Sequence, residues 1–168
     1  MIHPFYLRTF FGLLAGMVQA PDGSGLGLGV EGGLLANTQR ARFSIFASYS
    51  KLSSETTFDT TASISGGGYV PGQIPATRSL DALNFTLGPS VILGRSEISL
   101  WLGTSFHTSE RVTDDAGYTL DEYPSKWVFL GGGGLGWNWE KLGLCLFVDR
   151  HMGDGGLWIL GGRARFFP

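Results

Sequence analysis

The chain has 168 residues, which is the size of one domain, read as 1–168, and its net charge of −2 argues against nucleic acid as a partner. Charged residues make up only 15%, below the roughly 25% of ordinary soluble domains, whereas glycine is abundant and aromatics reach 13%. The lone Cys145 cannot form an intrachain disulfide. His3, His107 and His151 are too scattered to make a metal motif, so no cofactor or metal is expected.

Hydrophobic residues are 43% of the chain, yet the mean hydropathy is only +0.11. No clean run of about 20 apolar residues is present, which argues against a membrane-spanning helix. The apolar residues are instead diluted by alternation, the period of a β-strand with unlike faces.

In chain order, residues 4–19 alternate. Phe5, Leu7, Thr9, Phe11, Leu13 and Met17 fall on one parity, with Arg8, Phe10 and Leu14 on the other. The same stretch has features of a secretory signal, with an apolar run from Phe10 and a Val18-Gln19-Ala20 end. A strand reading is preferred, because it completes an even strand count. A polar connection around Pro21-Asp22-Gly23 leads to a strand over 25–36, with Leu26, Leu28 and Val30 opposed to Glu31. After Asn37-Thr38-Gln39, residues 40–52 place Phe43, Ile45 and Tyr49 outward and Arg42, Phe46 and Ser48 inward. Residues 53–77, rich in Thr, Ser and Gly, read as a long loop.

The strand over 78–93 contains Pro89, which has no ladder donor and predicts a bulge or a break. Gly94-Arg95-Ser96 turns into 97–108, with Phe106 outward and Trp101 and His107 inward. Residues 109–124 read as a second long loop carrying several carboxylates. The strand over 126–139 has Trp127, Trp137 and Trp139 outward. Its glycine run, Gly131–Gly134, lies opposite Trp101 and is read as making room for the indole. Residues 142–151 follow. The last strand, 157–167, carries Trp158, Leu160, Gly162, Ala164 and Phe166 on one face and Ile159, Gly161, Arg163 and Arg165 on the other.

These eight strands are joined by connections that are alternately short and long. That is the pattern of a transmembrane barrel with short periplasmic turns and longer extracellular loops. The expected fold is therefore all-β, an eight-stranded antiparallel up-and-down transmembrane barrel closed by pairing 157–167 with 4–19. The outward aromatics fall into two girdles, Phe5, Phe43, Trp137, Trp139 and Phe166 at the turn end and Tyr49, Phe106, Trp127 and Trp158 at the other.

In this pattern the chain resembles the small outer-membrane β-barrels of the OmpA/OmpX-like, porin-like superfamily. The segment Gly161-Gly162-Arg163-Ala164-Arg165-Phe166-Phe167 is similar to the C-terminal signal read by the outer-membrane assembly machinery, although Pro168 follows it. PFYLRTFFG and GVEGGLLAN look like the first hairpin of such barrels. The resemblance implies a bacterial outer-membrane location with both termini periplasmic. It also implies contact with outer-membrane lipids, lipopolysaccharide and the assembly machinery, and allows for another envelope protein as partner.

The inward charges give the candidate site. Arg8, Arg42, Arg163 and Arg165 share the inward parity with Glu31, a set expected to form a polar network, in which Glu31 contacts at least one arginine. One carboxylate against four arginines leaves open an anion-seeking pocket. His107-Thr108-Ser109 resembles the His-x-Ser of outer-membrane lipid A deacylases, but the parity set by Phe106 turns His107 away from lipid. The expectation is a non-enzymatic barrel with a structural or partner-binding role, and a lipid-modifying enzyme is the alternative.

Overall fold

The computed structural model describes residues 6–38, 40–64, 68–153 and 156–168, with only the backbone of 61–64 and 68–70. Its strands are β1 (Tyr6–Ala20), β2 (Gly23–Asn37), β3 (Ala41–Ile64), β4 (Gly68–Leu93), β5 (Ser96–His107), β6 (Glu110–Asp114), β7 (Thr119–Tyr123), β8 (Lys126–Asn138), β9 (Leu142–Met152) and β10 (Leu157–Phe166). Eight of them form a ring in the order β1-β2-β3-β4-β5-β8-β9-β10. The ring closes where β10 pairs antiparallel with β1, from Phe11 opposite Phe166 to Gln19 opposite Trp158. The N-terminal stretch is therefore the first barrel strand from Tyr6 onward.

The alternation explains the closure. On β1, Phe10, Leu14 and Val18 are buried while Leu7, Phe11, Leu13 and Met17 are exposed. On β10, Ile159, Arg163 and Arg165 are buried while Trp158, Leu160 and Phe166 are exposed. The remaining barrel strands repeat this, so a belt of large apolar side chains surrounds the ring. Such a belt is far larger than the apolar patches of soluble monomers and is the lipid-facing surface of a transmembrane barrel. Each large apolar side chain gains about 1.5–3 kcal/mol on leaving water, which fixes the strand faces. A closed ring also leaves no unpaired strand edge in the hydrocarbon, where each unmatched backbone group is costly.

Two local expectations are corrected and a third is met in part. Residues 53–64 and 68–77, expected within a loop, are strand. β3 and β4 stay paired to Ile64 opposite Gly68, well past Ser54, where pairing between β2 and β3 ends. At about 3.3 Å per residue, the ten-residue extension of β3 makes a ribbon roughly 30 Å long. Residues 109–124 hold the hairpin β6–β7, which lies beside this ribbon, Arg111 to Asp114 pairing with Ala76 to Ser79 of β4. At Pro89 the β4–β5 ladder breaks, as one of the two expected outcomes, and no bulge forms. The β4–β5 pairing runs from Leu87 opposite Leu102 to Ser90 opposite Ser99 with the same register. The missing donor costs a local gap on the β5 side only, and Pro89 still sits opposite Phe43 on β3.

Candidate functional site

The interior of the ring is filled with side chains arranged in tiers. At the turn end, Arg42 Nη1 is 2.5 Å from Glu97 Oε2, and its Nε donates to Asn37 Oδ1 at 2.6 Å. Glu97 also accepts from Asn138 Nδ2 at 2.7 Å and from the Ser99 hydroxyl at 3.0 Å. This carboxylate thus has partners on β8 and on its own strand besides its arginine on β3.

The middle tier is built from β2, β9 and β10. Arg165 Nε donates to Glu31 Oε1 at 2.6 Å, and Arg163 Nη1 lies 3.5 Å from Glu31 Oε2. Arg163 Nη2 donates to Asp149 Oδ2, whose partner oxygen Oδ1 accepts from Trp101 Nε1 at 2.6 Å. The guanidinium faces are covered by rings. Arg163 lies 4.1 Å from the Phe147 centroid and 4.5 Å from that of Trp101, and Arg165 lies 4.7 Å from that of Phe10. Cation–π contact of this kind replaces part of the hydration that burial removes. Gly132 and Gly134 face this tier. A Cβ at Gly132 would lie 2.4 Å from Trp101 Nε1 and 2.3 Å from Asp149 Oδ1. Only glycine leaves the space that the indole and carboxylate occupy.

The loop-end tier is a histidine pair. His107 Nε2 and His151 Nδ1 are 2.9 Å apart, with ring centroids 5.1 Å apart. Both residues are buried. The spacing fits two rings meeting nitrogen to nitrogen and sharing one proton. Above them, Arg78 Nη1 is 2.9 Å from Asp22 Oδ1 and its Nε 2.8 Å from Glu110 Oε1, joining the β1–β2 turn to β4 and β6. A cavity of about 50 Å³ lies here, lined by both histidines, Arg78, Glu110 and Lys126. Replacing His107 with alanine leaves the buried His151 ring without its partner. The expected loss is about 1–3 kcal/mol, read as a lower urea midpoint of the barrel in detergent micelles.

Several solved structures similar to this chain are barrels of the same build. Ail, the attachment invasion locus protein of Yersinia pestis, seen in complex with the heparin analogue sucrose octasulfate, aligns with TM-score 0.54 at 14% identity over 98% of this chain and 100% of its own. Neisserial surface protein A (NspA) aligns with TM-score 0.59 at 9% identity, covering 97% of this chain and 98% of that one. The N-terminal β-barrel domain of Pseudomonas aeruginosa OprF gives TM-score 0.54 at 12% identity, covering 97% and 100%. The fold is that of a small, OmpA/OmpX-like outer-membrane β-barrel. No known family's sequence model matches the chain, and no curated protein matches it.

Within this barrel the inward residues singled out from the sequence separate into two groups. Glu31, Arg163 and Arg165 meet in the middle tier, and Arg42 lies one tier below. Arg8 sits apart at the turn-end rim, where Nη2 donates to the Glu140 carbonyl at 2.5 Å and the guanidinium lies 4.6 Å from the Phe167 centroid. The expectation of one carboxylate against four arginines is corrected. Glu97 and Asp149 each take an arginine, so the three lumen arginines face three carboxylates among the described residues. Asp149 and Glu97 were legible only as inward parity on their strands; nothing local marks them as arginine partners.

Of the outward aromatics, Phe43, Trp137, Trp139 and Phe166 are exposed near the turn end, with Phe166 stacked on Phe11 at 5.6 Å. Tyr49, Trp127 and Trp158 are exposed toward the other end. Trp127 lies 5.1 Å from Phe106 between centroids, and Trp158 has Arg150 4.8 Å from its own. Phe5 lies outside the described residues. His107 is buried, as the parity set by Phe106 predicts, and its Nε2 is bonded to His151 inside the ring.

Proposed function

We propose that this chain is a non-enzymatic barrel of the bacterial outer membrane that presents a β-ribbon to a partner outside the cell. Both termini lie on the periplasmic side, because the short turns 38–40, 94–95 and 139–141 share that end and the long hairpins share the other. The two aromatic sets mark the membrane interfaces, and the Gly161–Phe167 segment serves the assembly machinery.

The single observation that carries the partner reading is the open edge of β3. Beyond Ser54 its backbone pairs with β4 on one side and has no strand partner on the other among the described residues. An unpaired edge is a template for an added strand, with main-chain hydrogen bonds supplying affinity. The β4 side is interrupted by Pro71 and Pro75, whereas residues 55–64 of β3 hold no proline and no lysine. Charge selects the partner's character. Residues 55–77 contain no Lys or Arg, and residues 110–123 contain only Arg111 against five carboxylates. An extended basic segment of another envelope or host protein fits this surface, and a sulfated glycan of the kind bound to Ail does not.

The test compares a lysine-rich extended peptide with sucrose octasulfate by calorimetry on the barrel in micelles. Peptide binding that disappears when 56–76 is replaced by an Asn-Gly turn is expected, with no heat from the octasulfate. Octasulfate binding, or peptide binding unchanged by the deletion, would refute the ribbon reading.

The alternative, a lipid A deacylase, lacks a site at the lipid face. A hydrolase needs its base within about 2.6–3.2 Å of the nucleophile and both at the ester. Here the base is inside the ring and already bonded. Incubation with lipid A is expected to release no fatty acid by mass spectrometry; release that stops in Ser109→Ala would restore the enzyme.

A further inference from the structure

The turn end of the barrel carries a ring of exposed cations. Arg40 stands in the β2–β3 turn, Arg95 in the β4–β5 turn and Lys141 in the β8–β9 turn, so each short turn contributes one. Arg8 adds a fourth at the rim of β1. Among the described residues the only exposed acidic side chain at this end is Glu140. The lumen cannot neutralise the ring, because Glu97, Glu31 and Asp149 are buried and each holds an arginine of the interior.

Backbone hydrogen bonds fix the height of these cations relative to the apolar belt. The Arg95 carbonyl accepts from Asn138 N at 2.8 Å, which sets Arg95 beside the strand end bearing Trp137 and Trp139. The Arg40 carbonyl accepts from Ile92 N at 3.0 Å, and the Lys141 carbonyl from Phe167 N at 3.0 Å. Trp137, Trp139 and Phe166 are exposed next to them. Aromatic side chains of that kind settle at the boundary between hydrocarbon and headgroups. The cations, one to four residues further out, therefore stand at the depth of lipid phosphate. The other end of the barrel has the opposite balance, with its hairpins dominated by Asp and Glu.

We propose that the turn-end ring of Arg40, Arg95 and Lys141 binds the phosphates of anionic phospholipid headgroups in the leaflet around it. The inference needs only that the barrel spans a bilayer, and is independent of the ribbon's partner. A cation close to an anionic membrane surface favours it by about fivefold. With Glu140 opposing, a preference of roughly tenfold or more for anionic over zwitterionic lipid is expected at low ionic strength, weakening as salt shortens the Debye length.

The experiment uses the refolded barrel in vesicles containing phosphatidylcholine or phosphatidylglycerol with brominated acyl chains, which quench adjacent tryptophans. Trp127→Phe/Trp158→Phe leaves Trp137 and Trp139 as reporters of the turn end, since Trp101 is only 3% exposed inside the lumen. Trp137→Phe/Trp139→Phe leaves reporters of the loop end. The expected result is stronger quenching by brominated phosphatidylglycerol at the turn end, absent at the loop end and lost in Arg40→Gln/Arg95→Gln/Lys141→Gln. Equal quenching by the two lipids at the turn end would overturn the proposal, as would a preference that survives the triple substitution. Loss of the preference on adding a modest excess of inorganic phosphate, at ionic strength matched with chloride, would also overturn it and leave a site for free anions.

Discussion

Glu31→Gln is expected to be the most damaging conservative substitution in the barrel, lowering its stability by about 3–5 kcal/mol. The Glu31 carboxylate has 0% side-chain exposure and answers Arg165 at 2.6 Å and Arg163 at 3.5 Å. The amide keeps the shape and removes the charge, so two buried guanidinium groups share what Asp149 alone supplies. Removing one partner of a buried pair costs more than the pair contributes, because the remaining charge stays desolvated. Glu97 offers no relief, being held by Arg42, Asn138 and Ser99 one tier away. The measurement is the urea midpoint in micelles, followed by tryptophan fluorescence. Glu31→Gln combined with Arg165→Met should recover part of the loss, since the unpaired cation leaves with it. An unchanged midpoint in Glu31→Gln would show that the middle tier is not held by this charge.

Adding a single methyl group at Gly132 is expected to cost at least about 2 kcal/mol, although alanine in an ordinary strand gains roughly 0.5–1 kcal/mol over glycine. A Cβ there would meet Asp149 Oδ1 at 2.3 Å, Trp101 Nε1 at 2.4 Å and the Val148 carbonyl at 2.6 Å. Something must move, and the nearest atoms form the hydrogen bond between indole and carboxylate. A hydrogen bond to a charged group contributes about 1.5–3 kcal/mol, and Asp149 also holds Arg163. Gly131→Ala is the control. Its methyl points outward, 3.2 Å from Met152 Cε and 3.3 Å from Leu102 Cδ2, the mobile ends of flexible side chains. Gly131→Ala is expected to be neutral or slightly stabilising. Parallel urea titrations, with the near-ultraviolet circular dichroism of Trp101, check the pair. Equal midpoints for the two variants would refute the packing argument.

How much of this was legible in the sequence follows from the range of each interaction. The barrel was legible because lipid acts on every strand separately. The parity of Trp158, Leu160 and Phe166 against Arg163 and Arg165 is readable within one strand, without knowing its neighbours. The inward direction of His107 followed from Phe106 in the same way. The ribbon was not legible, because in 55–64 and 68–77 the few apolar residues, such as Phe58, Val70 and Ile74, are diluted by Thr, Ser, Gly and Pro, and away from lipid nothing imposes a full apolar face. The β3–β4 extension is held instead by backbone pairing that continues from the barrel. The lumen partners were not legible for a different reason. Glu31 and Arg165 are 134 residues apart in sequence, and Arg42 and Glu97 are 55 apart. Parity said that these side chains share an interior. Only the stagger of closed strands decides which of them stand at the same height, and so which arginine each carboxylate meets.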